Sequence, residues 1–476
     1  MTDETIFSDS SIDQMTFEDC SLTDYYISGN IKTESIRNFP IKFLETSLVE
    51  LKIENAVVEM PIVLWNVTAK TLHASNVVFE SGISFGSFEG HGFFAQDIYI
   101  ISSDTNQRLD FYNGSIKGEL LLKKVGINEQ MVIWKSFKVG SWIKMQEIEA
   151  SHAVSIDFNE NFTHLDLGDC WFETSLTIRC DYSRSLKKQV TLSLDGIISG
   201  NYIVENIPTL SINLNCINMG NVIFNNVSTK FIIFENMFNF GKVFFNSIER
   251  NEKFNMLRIY DSNIGNTEFQ NIDFKLFDEV IIAKSDVSSL ILTNSPFPKR
   301  IQTYSNLSNY GDEKLDEAMY YRESYRQLKV AMGKIDNKYY SLMYKSREMH
   351  YQRKETKRIW DKLLLTINFI SNNHGIDWQR GIVFTIGCAY ASFLVLNKIS
   401  AHPIFHWNIS SSKAEIIQSI GLAADHFLHF ISTFPKLDSS LRNDGDWKTD
   451  LVILLARIFI GIGIYQTISA FRKYAK

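Results

Sequence analysis

Apolar and polar residues alternate in short runs through roughly the first 300 residues of the chain. Leu165 and Leu167 show this spacing, and so do Val222 and Phe224. A period of two is the pattern of a β-strand with one face buried. The pattern therefore predicts an N-terminal region built from many short strands.

These strand-like units repeat along the chain. An offset of 21 residues aligns Leu51/Leu72, Asn55/Asn76, Val57/Val78, Glu59/Glu80 and Ile62/Ile83. "LDLGDCWFETSLTI" (165–178) follows the same pattern, and three later units share N-x-G-x-x-x-F-x-N/S-V/I: "NMGNVIFNNV" (218–227), "NFGKVFFNSI" (239–248) and "NIGNTEFQNI" (263–272). A regular period of this length indicates a repeat architecture.

A strand repeat of about 20 residues cannot bury its apolar face alone and must stack on its neighbours. The sequence therefore predicts an all-β solenoid, right-handed and β-helix-like, with ten to twelve coils over residues 10–300 and a domain boundary near residue 310. A large β-sandwich is the alternative, and the constant offset argues against it. Asn and Gly in the Asn-x-Gly elements tolerate left-handed backbone, so these elements predict the corners.

From about residue 312 the apolar period becomes helical, through Leu315, Met319, Tyr325, Leu328 and Met332. Gly333 is the expected C-cap of this helix and Asp336 the expected N-cap of the next, which we predict to run from about Asn337 to Ile370. Residues 311–375 are therefore predicted to form an α-helical hairpin and a juxtamembrane helix.

Two further segments are apolar enough to cross a bilayer. They are "GIVFTIGCAYASFLVLN" (381–397) and residues 451–471, and an amphipathic helix is expected between them at 412–432. Some 20 apolar residues span the hydrocarbon core as a helix. Residues 376–476 are thus predicted to be a two-span transmembrane domain, with spans at about 379–398 and 450–471.

Basic residues predict the orientation of these spans. They cluster before the first span and after the second, at Lys345, Arg347, Arg353, Lys354, Lys357, Arg358, Lys362, Arg472, Lys473 and Lys476. Cytoplasmic flanks carry such an excess. The N-terminus, "MTDETIFSDSSIDQ", has no signal-peptide pattern. We therefore expect a multi-pass protein with both termini, and the solenoid, in the cytoplasm.

Composition and motifs argue against catalysis. The net charge is −6, and the chain carries no Walker A loop, HExxH, CxxC pair or dinucleotide fingerprint. "GISFG" (82–86) matches a nucleophile elbow, yet it falls inside the strand repeat and is expected to be a solenoid corner. The five cysteines are scattered, which indicates reduced structural thiols. We expect no enzyme, catalytic residue, metal or cofactor.

Aromatic and basic residues interleave over residues 320–358. The candidate ligand-binding residues are Tyr321, Arg322, Arg326, Lys329, Tyr340, Lys345 and Arg347. Rings beside cations suit single-stranded nucleic acid or nucleotides. Packing of the helical hairpin, together with proximity to anionic lipid, predicts the same pattern, and both interpretations stay open.

The second span contains one charge, Arg457, beside a face of small residues. Ala456, Gly463 and Ala470 recur every seven residues, and the first span carries a similar stripe. Small faces permit close helix packing, and two spans alone make a poor bundle, so we expect oligomerisation. The candidate pore or interface residues are Ala456, Arg457, Gly461, Gly463 and Gln466. The alternative for Arg457 is snorkelling to the outer headgroups.

Two stretches resemble a group of bacterial membrane proteins that join cytosolic pentapeptide-repeat or β-solenoid domains to channel-like tails. "YRESYRQLKVAMGKIDNKYYSLMYKSREMHYQRK" (321–354) is similar to the helical hairpin of that group, and "ARIFIGIGIYQTISAFRKY" (456–474) to its terminal span. The similarity covers about residues 315–476. The solenoid units depart from the group by lacking the A-[D/N]-L-x-x cadence.

This resemblance implies an oligomeric ion channel of the bacterial inner membrane, which we expect to be a tetramer. In the Hailong type of anti-phage defence, such a channel effector is held shut by single-stranded DNA oligomers made by a partner nucleotidyltransferase. The resemblance thus implies a homo-oligomer in contact with membrane lipid, gated by single-stranded DNA or a nucleotide signal. The alternative function is a non-conducting, membrane-anchored scaffold whose solenoid binds a protein.

Overall fold

The computed structural model divides into two compact units, Met1–Asp312 and Glu313–Lys476. The residues it describes are 4–8, 15–18, 21–31, 41–44, 47–58, 61–65, 67–86, 93–134, 136–158, 162–180, 189–250, 254–295, 297–298, 300–302, 317–399, 413–432 and 447–471. Cys20, Leu315 and the basic residues after Phe471 lie outside this set.

The first unit consists of strands. They are β1 Glu4–Ser8, β2 Met15–Glu18, β3 Ser21–Ile31, β4 Ile41–Leu44, β5 Ser47–Val58, β6 Ile62–Trp65, β7 Val67–Phe79, β8 Ile83–Phe85, β9 Phe93–Thr105, β10 Leu109–Phe111, β11 Gly114–Ile116, β12 Glu119–Ile127, β13 Met131–Ile133, β14 Phe137–Val139, β15 Trp142–Ala150, β16 Val154–Phe158, β17 His164–Gly168, β18 Trp171–Cys180, β19 Val190–Glu205, β20 Leu210–Asn218, β21 Asn221–Glu235, β22 Phe238–Asn239, β23 Lys242–Arg250, β24 Met256–Tyr260, β25 Asn266–Gln270, β26 Glu279–Ala283 and β27 Ile291–Thr293. A single 3₁₀ turn, Phe274–Leu276, lies between β25 and β26.

These strands stack as a β-solenoid of about ten turns over residues 47–293, which confirms that this part of the chain is a β-solenoid. β5, β7, β9, β12 and β15 form one parallel row, and β6, β8, β10, β13 and β16 form another. The pairs Leu51/Leu72, Val57/Val78 and Ile62/Ile83 are register partners, so the 21-residue offset is one coil. Parallel ladders of this kind exclude the antiparallel sandwich.

Aromatic side chains fill the later coils as a ladder. Phe224 stacks on Phe245 at 4.7 Å between ring centroids, and Phe245 stacks on Phe269 at 4.9 Å. All three side chains are fully buried. The Phe of the N-x-G-x-x-x-F motif is therefore the core position of each coil, because parallel in-register strands place equivalent side chains one above another.

The corners differ from the prediction. Left-handed backbone falls on the N/S position of the motif, at Asn226, Ser247 and Asn271, whereas of the motif glycines only Gly265 has positive φ. A Cβ on Gly241 would overlap the carbonyl oxygen of Gly220 in the coil below. Glycine is thus required there because two backbones approach closely, not because the chain turns left-handed.

The second unit is helical. Its elements are α1 Glu317–Lys334, α2 Lys338–Glu355, α3 Ile359–Asn372, α4 Trp378–Ile399, α5 Lys413–Ser432 and α6 Trp447–Phe471. α4 and α6 are long and apolar enough to cross a membrane by length and composition. The predicted spans and the amphipathic segment at 412–432 therefore correspond to observed helices.

Three boundaries of the hairpin were predicted wrongly. Gly333 lies inside α1, and the N-cap of α2 is Asn337, whose side chain accepts a hydrogen bond from the Tyr340 N–H. Asp336 instead adopts a φ of 55°. The long helix to Ile370 is interrupted after Glu355, where the Thr356 hydroxyl donates to the Gln352 carbonyl. Such side-chain bonding competes with continuation of the helix.

Candidate functional site in the helical unit

α4 and α6 pack closely through two reciprocal Gly–Thr contacts. A Cβ on Gly463 would lie 3.0 Å from the Thr385 Cβ, and a Cβ on Gly381 would lie 3.1 Å from the Thr467 Cα. The Thr385 hydroxyl donates to the Gly381 carbonyl and the Thr467 hydroxyl to the Gly463 carbonyl. The hydroxyls are thus satisfied within their own helices, and the seam between the antiparallel helices is closed.

The buried face of α6 follows a heptad. Its members are Thr449, Ile453, Ala456, Ile460, Gly463 and Ala470, at alternating steps of four and three until the last seven. Ala456, Ile453 and Ile460 share an apolar cluster with Phe393 of α4 and Phe430 of α5. Ala456 and Gly463, two of the candidate pore residues, therefore lie in a seam within one chain. The small-residue face from which the sequence predicts helix assembly is therefore already used for packing against α4 of the same chain.

Arg457 lies outside this buried face of α6, on its flank. It is exposed, as are its neighbours Leu454, Leu455 and Ile458, and Gly461 is half-buried. Arg457 is eight residues from Thr449, which corresponds to about 12 Å along the helix. A charge at the centre of a span costs about 2.5–3.5 kcal/mol on insertion scales. The Arg457 side chain is therefore directed to the surroundings of the α4–α6 pair and not into the contact between the two helices.

Gln466 takes part in a polar network between α3 and α6. Its side-chain amide donates to Asn368 at 2.8 Å, and Asn372 donates to the Gln466 carbonyl at 3.0 Å and to its side-chain oxygen. Asn372 is fully buried and also accepts the Gly375 N–H. Gln466 thus fixes the end of α3 to α6, a relation that no local pattern could reveal.

Tyrosine rings form the centre of the α1–α2 hairpin. Tyr321 stacks on Tyr351 at 4.4 Å, Tyr325 lies 5.8 Å from Tyr351, and Tyr325 lies 6.1 Å from Tyr344. Tyr325 and Tyr344 are buried, and burial raises the pKa of both Tyr344 and Tyr351. Much of the aromatic pattern is therefore packing between the two helices.

Three of the candidate bases are paired with carboxylates. Arg322 contacts Glu355 at 2.7 Å, Lys329 contacts Glu348 at 2.7 Å, and Arg326 pairs with Glu323. Lys345 is exposed, and Tyr340 and Arg347 are half-buried on α2. The structure spreads the seven candidate ligand-binding residues along the hairpin and does not gather them at one point.

Sequence reasoning missed a cationic and aromatic cluster where α2 meets the end of α3. The Arg353 guanidinium lies 4.3 Å from the Phe369 ring centroid, and His350 and His374 lie 5.8 and 6.0 Å from the same ring. Burial, with the nearby charges of Arg353, His350 and Lys345, lowers the pKa of His374 to about 4. The cluster depends on a fold-back of α3, for which the sequence carries no signal.

The solenoid exposes an apolar patch across consecutive coils. Ile197, Ile217 and Phe238 are successive register partners and are 54%, 37% and 48% exposed. Flanking positions on the same face carry Trp171, Met219 and Phe240. These six residues are called the apolar patch below. Patches of this kind mark interaction sites more often than scattered single residues do.

A shallow groove of about 590 Å³ lies on the earlier coils. It is lined by Phe94, Lys70, Lys117, Gln96 and Ser115 among others. Phe94 is 48% exposed and both lysines are on the surface. An exposed ring beside two cations can hold a ligand that combines an aromatic base with a phosphate.

Other candidate chemistry in the solenoid is structural. Ser84 of "GISFG" lies in β8 between Gly82 and Gly86, both with positive φ, and the next described element is another strand, β9. Burial raises the pKa of Cys170 and of Cys216 to about 12, so both thiols are protonated and unreactive at neutral pH.

The chain has no match among the known proteins with which it was compared. No protein-family model matches the chain, and neither a curated protein nor a solved structure matches it.

Proposed function

We propose that this protein is an oligomeric ion channel of the bacterial inner membrane, with α4 and α6 as its spans. Both termini and a right-handed solenoid lie in the cytoplasm. The observation that carries the proposal is the position of Arg457, which lies within α6, exposed and outside the closed Gly–Thr seam. An exposed charge within a span can line a water-filled path or contact a neighbouring subunit.

If the protein conducts ions, the closed seam requires that the path form between several chains. Gly381, Thr385, Gly463 and Thr467 bring the two helices together so closely that one chain has no room for an ion path. The remaining faces of both helices are apolar and exposed, for example at Val383. A path must then form between copies, and a homo-tetramer is the arrangement we propose, with lipid on the outside.

The solenoid is proposed to sense the gating signal. A single-stranded DNA oligomer or nucleotide made by a nucleotidyltransferase partner fits the groove that carries Phe94, Lys70 and Lys117. A ligand can gate a channel only by binding the closed and open states differently. Release of the signal would open the pore, dissipate ion gradients and stop growth, as an anti-phage effector requires.

Conductance of the full-length protein in planar bilayers tests this proposal. We expect current from the protein alone, and closure on addition of short single-stranded oligodeoxynucleotides. Arg457→Glu should shift the reversal potential towards cations, because a charged side chain at a constriction sets selectivity. Arg380→Gln is the control, since Arg380 pairs with Asp377 at the end of α4. Absence of current under every condition would refute the channel.

The apolar patch favours a second candidate function, a membrane-anchored scaffold that binds a protein through its solenoid. Phe240 is 70% exposed and Met219 is 56% exposed, which is costly for a surface without a partner. A monomeric mass in detergent, together with absence of current, would favour this scaffold over the channel. An oligomeric mass with current would favour the channel.

A further inference from the structure

α3 has two opposite faces of different character. Leu365 and Asn372 are buried against the rest of the helical unit. On the other side Ile359, Trp360, Leu363 and Ile370 are 74%, 78%, 48% and 56% exposed. The exposed residues recur at helical spacing, so they form one continuous apolar stripe. A stripe with an indole on a protein surface requires a cover.

The position of α3 indicates what contacts this exposed apolar stripe. Asn368 and Asn372 bond to Gln466, which is five residues before the end of α6. At the same end, Trp378 at the start of α4 stacks on Phe471 with 5.0 Å between ring centroids. The C-terminal end of α3 therefore lies at the level where both candidate spans end, which is the border between hydrocarbon and headgroups if the helices cross a bilayer.

The net positive charge around the stripe favours binding to an anionic surface. Residues 353–372 contain five bases, Arg353, Lys354, Lys357, Arg358 and Lys362, and two acids, Glu355 and Asp361. Lys357, Arg358 and Lys362 are exposed. A helix with an apolar stripe, an indole and basic flanks lies in the plane of a membrane surface and is attracted to anionic lipid.

We propose that α3 is an in-plane interfacial helix that docks on a leaflet containing anionic phospholipid. Its stripe enters the boundary between headgroups and acyl chains, and Lys357, Arg358 and Lys362 contact lipid phosphates. The inference rests on the proposed crossing of the bilayer by α4 and α6. It adds a lipid-binding surface that is fixed to α6 through Gln466, so lipid charge acts directly on a span.

Depth-dependent quenching of Trp360 tests this surface. Full-length protein is reconstituted into vesicles that contain phosphatidylglycerol and brominated phosphatidylcholine. The emission lost on the change Trp360→Phe reports the indole at that position. We expect brominated lipid to quench this difference signal at least twofold. Trp171→Phe is the control, because Trp171 is exposed on the solenoid and its difference signal should be unaffected.

The outcomes separate three cases. A Trp360 signal that resists brominated lipid, while the protein stays in vesicles after an alkaline wash, overturns the inference and leaves the spans intact. A blue-shifted but unquenched signal shows that protein covers the stripe, and it overturns the inference too. Loss of the protein from the vesicles in the wash overturns the proposed function itself.

Lipid charge is tested separately. In wild type, quenching should be at least twofold stronger with phosphatidylglycerol than with phosphatidylcholine alone. The triple change Lys357→Gln/Arg358→Gln/Lys362→Gln should abolish this preference. The matched control is Lys123→Gln/Lys138→Gln/Lys144→Gln, which removes the same charge from solenoid strands. An equal effect of both triples would show that only net charge matters and would contradict the proposal.

Discussion

Thr385 of α4 and Gly463 of α6 lie so close together that a side chain at position 463 would collide with Thr385. An ideal Cβ on Gly463 would lie 3.0 Å from the Cβ of Thr385 and 3.1 Å from its Cα. Four residues along, Thr467 and Gly381 repeat the contact with the helices exchanged. In a membrane, where apolar burial does not drive association, such close packing is a main source of helix pairing.

Gly463→Ala should separate α4 and α6. The added methyl must displace Thr385, and overpacking of this kind costs about 1–3 kcal/mol. Unfolding in detergent, followed by the helical circular dichroism signal, measures the loss. Gly387→Ala is the matched control, because Gly387 is exposed on α4 and no described heavy atom lies within 4 Å of its Cβ position. Equal effects of the two changes would contradict the seam.

The contact between Asn372 and Gln466 should show energetic coupling. Loss of Gln466 leaves the buried Asn372 amide without this partner, at about 1–3 kcal/mol, and loss of Asn372 removes a partner from the half-buried Gln466 amide. Asn372→Leu and Gln466→Leu should each destabilise the helical unit, and the double variant should cost less than their sum by about 1 kcal/mol. A double-mutant cycle on the same unfolding signal provides the test. If the costs of the two single changes simply add, the Asn372 and Gln466 side chains stabilise the unit independently, which would contradict the predicted coupling.

Acid should weaken the helical unit through His374. Its pKa in the fold is about 4, below the ordinary 6.5, so the unfolded chain binds the proton more readily. The stability due to the neutral ring is therefore present above about pH 6.5 and declines as the pH falls towards 4. Since His374 is only half-buried, we expect an effect on the order of 1 kcal/mol after solvent screening.

The variant His374→Asn tests this pH dependence. Asn tolerates the left-handed backbone of this position, where φ is 59°. The fall in unfolding midpoint between pH 7 and pH 5 should become smaller but not vanish, because the pKa of His350 is lowered as well. His164→Gln on the solenoid is the control. An unchanged pH dependence in His374→Asn would exclude the ring as its source.

Gly241→Ala should damage the solenoid. Its Cβ would overlap the Gly220 carbonyl oxygen, and backbone cannot yield as a flexible side chain can, so we expect a cost of about 3 kcal/mol. Gly168→Ala is the matched control, because the nearest atom to its Cβ is the Gln146 Cγ at 3.8 Å. Thermal unfolding of the strand signal distinguishes the two. Equal losses of stability in the two variants would contradict the close contact between Gly241 and the Gly220 carbonyl oxygen.

Much of the architecture could be predicted because it is periodic. In a solenoid the partner of Leu51 is the equivalent residue one repeat later, Leu72, so an offset in the sequence is also a contact in space. The corners were placed less well. Asn226 and Ser247 adopt left-handed backbone, whereas Gly220 does not. At Gly220 the small residue is required because the backbone of the neighbouring coil comes close, and that approach is a tertiary contact.

The candidate site was predictable only in part. The small residues around Gly463 and the aromatic run around Tyr321 are visible in sequence, but the sequence does not show that they contact Thr385 and Tyr351, respectively. Gly463 therefore belongs to a seam inside the chain, and Tyr321 to the packing of a hairpin.

By itself the sequence determined the coil repeat, the two apolar helices and the presence of one charge among them, since each is a property of local period or composition. Only the tertiary structure decided that Gln466 holds α3 against α6 and that Arg457 lies outside the seam. The physical reason is that hydrogen bonds and close contacts between residues nearly 100 positions apart depend on how helices pack, and no local pattern encodes that packing.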